Sequence, residues 1–170
     1  MNPGLINNCI NQKDLMNFDD IKIIDYLPEH KNYFKQVNYV WIKKYFTVEE
    51  EDLKLLENPE EYIIKPGGAI LMAKRGEDIV GTCGLIKIND DTFELVKMAV
   101  DEKERGKNIG LMLGYAAINK AKILGAKKIQ LETSSALMPA VNLYKKLGFI
   151  EVPFTESEYK RCNLKMSLDL

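Results

Sequence analysis

The chain has 170 residues, a length that suits one domain with a core of its own and needs no metal or disulfide staple. Lys plus Arg number 24 against 25 for Asp plus Glu, a balance without the basic footprint of a nucleic-acid binder or the polybasic signal of a membrane-surface protein. Three scattered cysteines (Cys9, Cys83, Cys162) and a single histidine, His30, give neither a disulfide framework nor zinc-ligand spacing. With no apolar run long enough to span a bilayer and no signal-peptide pattern at the start, the expectation is a cytoplasmic, metal-free chain.

Residues 1–20 are rich in Asn and Asp and weakly periodic, and read as a loose leader to a domain over 21–170. Ile21–Leu27 is β-branched and aromatic, stopped by Pro28, and predicts a strand. A helix follows in which Phe34, Val37, Trp41 and Tyr45 fall on one face, suited to core packing or to walling a pocket. Thr47 to Glu50 has the form of a capping box, and Leu53 and Leu56 carry a second short helix that ends near Asn58-Pro59. After the turn at Pro66-Gly67-Gly68 the period changes to that of strands: Ala69–Ala73, Ile79–Ile88 and Thr92–Val100, joined by polar turns.

The pattern then returns to helix. Ile109, Leu113, Ala117, Ala121 and Leu124 share a face, and Gly125 ends the run. A strand over Lys128–Thr133, a helix around Pro139–Leu147, a strand from Phe149 and a final alternating strand over Cys162–Leu170, at or near a sheet edge, complete the order. Strand–helix–strand from Thr92 to Thr133 is a βαβ unit with parallel strands, while the other pairings should be antiparallel. The fold class is therefore α+β, a mostly antiparallel central sheet with one parallel βαβ unit and helices on both faces.

The informative stretch runs from Val96 to Lys122. A strand ends at Val100, a charged turn with glycine follows, and a long helix begins at Asn108 or Ile109. The first N–H groups of such a helix lack internal partners and point out at the positive end of its dipole, so they favour an anion. Gly106 and Gly110 allow close backbone approach, and Arg105 and Lys107 add charge, which suits a pyrophosphate. The turn carries neither G-x-x-x-x-G-K-[ST] nor G-x-G-x-x-G.

These residues resemble the GNAT superfamily of acetyl-CoA-dependent N-acetyltransferases. Its loop, R/Q-x-x-G-x-G/A, is matched by Arg105 to Gly110, with Asn108 in place of the first Gly; Asn tolerates a left-handed backbone. The likeness extends to Ile79–Thr82, to Glu94–Val100 and to Asn142–Phe149, which is similar to the family's late LYxKxGF signature. It implies acetyl transfer from acetyl-CoA to an amine by direct attack in a ternary complex, the acceptor being a small molecule or amino acid. The pantetheine would lie along Met98, Ala99 and Val100, and the pyrophosphate on Arg105, Gly106, Lys107, Asn108, Ile109 and Gly110, with Leu111 next along the helix. Leu137 stands where the family often has a cofactor-binding Asn, and Asn142, Ser134 and Ser135 are candidate substitutes for it. Glu94 and Glu132 compete as general base, and Tyr144 is the candidate acid for the leaving thiolate. No metal, nucleic acid or membrane partner is implied, and the chain would act as monomer or homodimer. The rival readings are a non-catalytic acyl-CoA sensor, a protein N-terminal or lysine acetyltransferase, and another phosphate-binding protein.

Overall fold

The computed structural model describes residues 20–170, and the expected leader lies outside them except for Asp20. The strands are β1 (Ile21–Asp25), β2 (Ala69–Arg75), β3 (Asp78–Lys87), β4 (Thr92–Val100), β5 (Lys128–Thr133), β6 (Ile150–Val152) and β7 (Leu164–Asp169). The helices are α1 (Lys31–Tyr45), α2 (Glu50–Glu57), α3 (Ile109–Ile123) and α4 (Met138–Lys146), with short 3-10 turns at Pro28–His30 and Glu102–Glu104 and a π-helical turn at Glu60–Ile64.

Among the described residues the strands form one seven-stranded sheet in the order β1-β2-β3-β4-β5-β7-β6, antiparallel except for the parallel pair β4–β5. The period-two pattern of β2 explains why the sheet has a core on each face. Leu71 and Ala73 join Cys83, Leu85, Phe93, Leu113, Ile129 and Met166 in the larger core, beneath α3. Ile70 and Met72 point the other way, into a second core with Phe34, Ile42, Leu56 and Ile63. The lone histidine is structural. Buried His30 accepts the Leu27 N–H at Nδ1, 3.0 Å away, and so holds the entry to α1.

Two sequence expectations change. The buried stripe of α1 is Phe34, Asn38 and Ile42, while Tyr45 is exposed; the i, i+4 row turns this face inward. The cap of α2 is Glu49, not Thr47, and the Glu49 N–H donates to Asp52 at 2.9 Å. That shift of two residues places Asp52, Leu55 and Leu56 on the buried side. That helix ends at Glu57 with Asn58 as its C-cap, as expected, and Pro59, at φ −63°, opens a separate π-helical turn whose Ile63 is fully buried. The C-terminal strand lies near an edge, as expected: β7 sits between β5 and the short edge strand β6, with Met166 paired to Leu131 on one side and to Glu151 on the other.

Candidate active site

The site is built on an interrupted strand pair. β4 and β5 are in register only at Thr92–Lys128, Phe93–Ile129 and Glu94–Gln130. Beyond Glu94, β5 continues against β7 alone and β4 continues against β3 alone. Between Gly84–Val96 and Thr82–Ala99 the partner strand advances two residues while β4 advances three, a bulge that leaves Lys97 at φ +51°. A bulge adds twist and re-aims side chains, so the two parallel strands part there. A cavity of about 420 Å³ occupies the gap. The edge of β4 from Leu95 to Val100, opposite β3, is free to pair with another extended chain.

One mouth of this cavity is the turn before α3. Asn108, the N-cap, has φ +61°, the left-handed conformation that Asn accepts more readily than other non-Gly residues, and its side chain makes no cap hydrogen bond. The first N–H groups of α3 therefore stay uncapped by their own chain. Gly106, at φ +78°, completes the reversal of direction. Gly110 has no room for a Cβ without pressing Leu143 of α4, which would lie 3.2 Å away.

Of the residues expected to hold a cofactor, Met98, Ala99 and Val100 line the cavity along β4. Arg105, Gly106, Asn108, Ile109, Gly110 and Leu111 line it around the turn. Lys107 does not line it and is held by Glu104 at 3.1 Å; Glu104 also takes Arg75. Asn142 is on the exposed face of α4, away from the cavity. Ser134 and Leu137 line the cavity, whereas Ser135 is exposed and donates its N–H to Asn163.

The other end of the cavity holds the titratable groups. Glu94 and Glu132 both line it, from adjacent strands. Burial pushes the Glu94 carboxyl up to about 7, and the charge of Glu132 adds to the rise against the opposing influence of Lys165. Glu132 accepts a hydrogen bond from Ser157 Oγ at 2.5 Å. Tyr144 reaches the same space from α4, its ring edge-on to Phe149 with centroids 6.1 Å apart. Burial raises its phenol to about 12, with Cys83 and Cys162 adding to the rise. Trp41, Ile42 and Phe46 form the wall from α1, so the first helix both packs the core and bounds the cavity.

Sequence reasoning missed the ionic group at this end. Lys97 Nζ lies 2.6 Å from Asp52, and Arg161, from the segment between β6 and β7, lies 2.6 Å from the same carboxylate. The partners are far apart in the chain and share no motif. The one local signal was a lysine within a strand otherwise bound for the interior.

A mixed sheet that opens at its parallel strand pair, with an anion-ready helix terminus at one mouth, is the N-acyltransferase fold. Comparison with known proteins agrees. The acetyltransferase (GNAT) family profile matches residues 35–149, and the chain belongs to that family. It is 36% identical over 101 residues to the uncharacterized N-acetyltransferase YvbK of Bacillus subtilis, covering 58% of this chain and 65% of that one. It is 33% identical over 99 residues to the N-acetylaspartate synthetase of Danio rerio, covering 57% of this chain and 35% of that one. The chain thus spans less than two thirds of the length of these curated relatives. A GNAT-family acetyltransferase structure from Staphylococcus aureus superposes with TM-score 0.79 at 27% identity, covering 88% of this chain and 98% of the other. A GNAT-family acetyltransferase from Elizabethkingia anophelis, described with acetyl-CoA bound, has TM-score 0.62 at 23% identity and covers 89% of this chain and 99% of its own.

Proposed function

We propose that the chain is an N-acetyltransferase that moves an acetyl group from acetyl-CoA to an amine by direct attack within a ternary complex. The observation that carries this reading is the parting of β4 from β5 at Glu94, between the α3 terminus and two cavity-lining carboxyls. Acetyl-CoA supplies the thioester. Its pantetheine amides pair with the free edge of β4 at Met98, Ala99 and Val100, as a neighbouring strand would. Its pyrophosphate is received by the N–H groups of Gly106 to Gly110 with Arg105 beside them, while the side chains of Lys107 and Asn142, which do not line the cavity, take no part.

Glu94 is the base. With its carboxyl raised to about 7, it is a stronger proton acceptor than an ordinary glutamate yet still ionised in good part at neutral pH. The acceptor reaches the site as an ammonium and gives a proton to Glu94, while Glu132 holds its position. The amine lone pair forms the new N–C bond to the thioester carbonyl carbon. The C–S bond breaks with its electron pair on sulfur, the Tyr144 phenol donates the proton that leaves a free thiol, and the resulting phenolate is restored by the second proton shed from the new amide nitrogen. A backbone N–H at the bulged end of β4 is suited to steady the carbonyl oxygen as charge grows there. Tyr144, at about 12, is protonated throughout the working range, as an acid must be.

The name of the zebrafish relative points to an amino-acid acceptor for that protein, and a small-molecule amine is the acceptor class proposed for this one. The test is to titrate acetyl-CoA against dephospho-CoA and nucleotides without pantetheine, then to follow thiol release with a panel of amines. Micromolar acetyl-CoA affinity with amine-dependent thiol release is expected. Affinity without turnover over the whole panel would favour an acyl-CoA sensor, and no CoA affinity would exclude both.

A further inference from the structure

The acceptor end of the cavity carries a buried ionic ring that the proposed chemistry does not use. Lys97, at the bulge, has a side chain only 6% exposed, and its Nζ donates to Asp52 Oδ1 at 2.6 Å and to the Tyr159 hydroxyl at 3.1 Å. Arg161 grips the same carboxylate with two prongs, Nη1 to Oδ2 at 2.7 Å and Nη2 to Oδ1 at 2.6 Å, and Nη1 also reaches Glu49 at 3.2 Å. With the Glu49 N–H added, the fully buried Asp52 carboxylate accepts from four donors. The Tyr159 ring lies beneath both cations, 4.6 Å from Lys97 Nζ and 4.5 Å from the Arg161 guanidinium carbon. Lys97, Tyr159 and Arg161 line the cavity; Asp52 does not.

The charges of this ring cancel. Lys97 and Arg161, the two cations that face the acceptor, are matched by Asp52 and Glu49. Glu94 and Glu132 line the same cavity, and neither is ion-paired among the described residues: Glu132 takes the Ser157 hydroxyl, and Lys97 and Lys165 act on Glu94 only through space. Glu158 adds a further negative charge to the field at Glu94. The cavity-lining acidic groups thus stay available to a ligand while Lys97 and Arg161 are committed inward; Lys165, which also acts on Glu94, does not line the cavity.

We infer that Asp52, by occupying Lys97 and Arg161, makes the site selective for cationic amines that carry no carboxylate beside the reacting nitrogen. This rests on the acetyl-transfer reading. A parent amino acid would bring its carboxylate to a wall whose two lining cations, Lys97 and Arg161, are already paired and whose lining carboxylates, Glu94 and Glu132, repel it. Its decarboxylated counterpart meets only the attraction of Glu94 and Glu132. Like charges brought together in a partly desolvated site suppress the wrong ligand more strongly than a missing attraction does.

Matched pairs whose one acylatable amine lies beside the carboxylate decide it: arginine against agmatine, tryptophan against tryptamine, and tyrosine against tyramine, each scored by kcat/KM with saturating acetyl-CoA. In the wild type each amine should exceed its amino acid by at least about tenfold, and equal or reversed ratios would overturn the assignment. Asp52→Asn frees both cations, so the ratios should fall toward one while the acetyl-CoA Kd changes less than about twofold. Unchanged ratios in that variant would remove Asp52 from the specificity. Should Asp52→Asn not fold, Glu49→Gln takes one anion from the same ring and must narrow the ratios in the same direction. If acetyl-CoA binds and no amine of any kind is acetylated, the transfer reading itself fails; acetylation of the amino acids alone sinks only the specificity.

Discussion

Glu94 occupies the last position at which β4 still pairs with β5, so its carboxyl stands where the strands part and water is partly excluded. Burial and the neighbouring Glu132 raise it from 4.5 to about 7. A base must be ionised to work, so kcat/KM should fall with unit slope below a pH of about 7, and Glu94→Gln should lose that limb together with a factor of about 10²–10⁴ in kcat. The same shift has a stability sign. The folded state holds this proton more tightly than the unfolded one, so the contribution of Glu94 is fully favourable below 4.5 and is lost as pH rises through about 7. Glu94→Gln should therefore stabilise the protein at pH 8, by about 1–3 kcal/mol in urea titrations, while impairing turnover. A variant that lost activity and stability together would speak for a structural role. For Tyr144 the expected result is different. Tyr144→Phe keeps the ring against Phe149 and should leave the acetyl-CoA Kd nearly intact while slowing thiol release about ten- to a hundredfold. Unchanged turnover would take Tyr144 out of the mechanism.

Elements decide where these residues stand. The turn into α3 depends on Asn108 at φ +61°. Asn108→Gly should keep acetyl-CoA affinity, because Gly enters the left-handed region without strain. Asn108→Val should weaken it about tenfold or more, since a β-branched residue there is a genuine outlier. Isothermal titration distinguishes the two, and equal affinities would mean that the turn conformation does not matter to the cofactor. Farther along α3, Gly114 is the contact point with the end of α4: a Cβ would lie 2.3 Å from Leu147 Cδ1. Gly114→Ala should cost about 1–3 kcal/mol in urea unfolding, and a neutral result would show that Leu147 gives way easily.

Much of this level was legible in the chain. Ala69–Val100 showed three strands because apolar runs alternate with polar turns, and Asn108 announced its left-handed cap by its chemistry. The cap of α2 and the π-helical turn were not legible, because burial of Asp52 and Ile63 against distant elements decides them and no local signal does. The Lys97–Asp52–Arg161 ring was hidden for the same reason, its members lying 45 and 109 residues apart in pairs. Lys107 looked like a phosphate ligand in sequence, but Glu104, three residues away, already holds it.

At the scale of the whole molecule, near-neutral charge is reproduced locally. Around the α3 terminus, Lys44 and Arg105 face Glu102, and Arg75 and Lys107 face Glu104, so the helix N–H groups rather than a basic surface are left to attract phosphate. Among the described residues no helix is long and apolar enough to cross a membrane. The cavity is continuous from that terminus to Glu132, which allows both substrates to be present at once. Cys162, the thiol that lines it, is pushed up to about 11 by burial and is a poor nucleophile, which argues against an acyl-enzyme. The most direct measurement is mass spectrometry of the reaction of isotopically labelled acetyl-CoA with the amine panel, with free thiol counted in parallel. Labelled N-acetyl amine equal in amount to the thiol released, with no label on the protein, is the expected result. Label retained on Cys162, or thiol released without an acetylated amine, would contradict it.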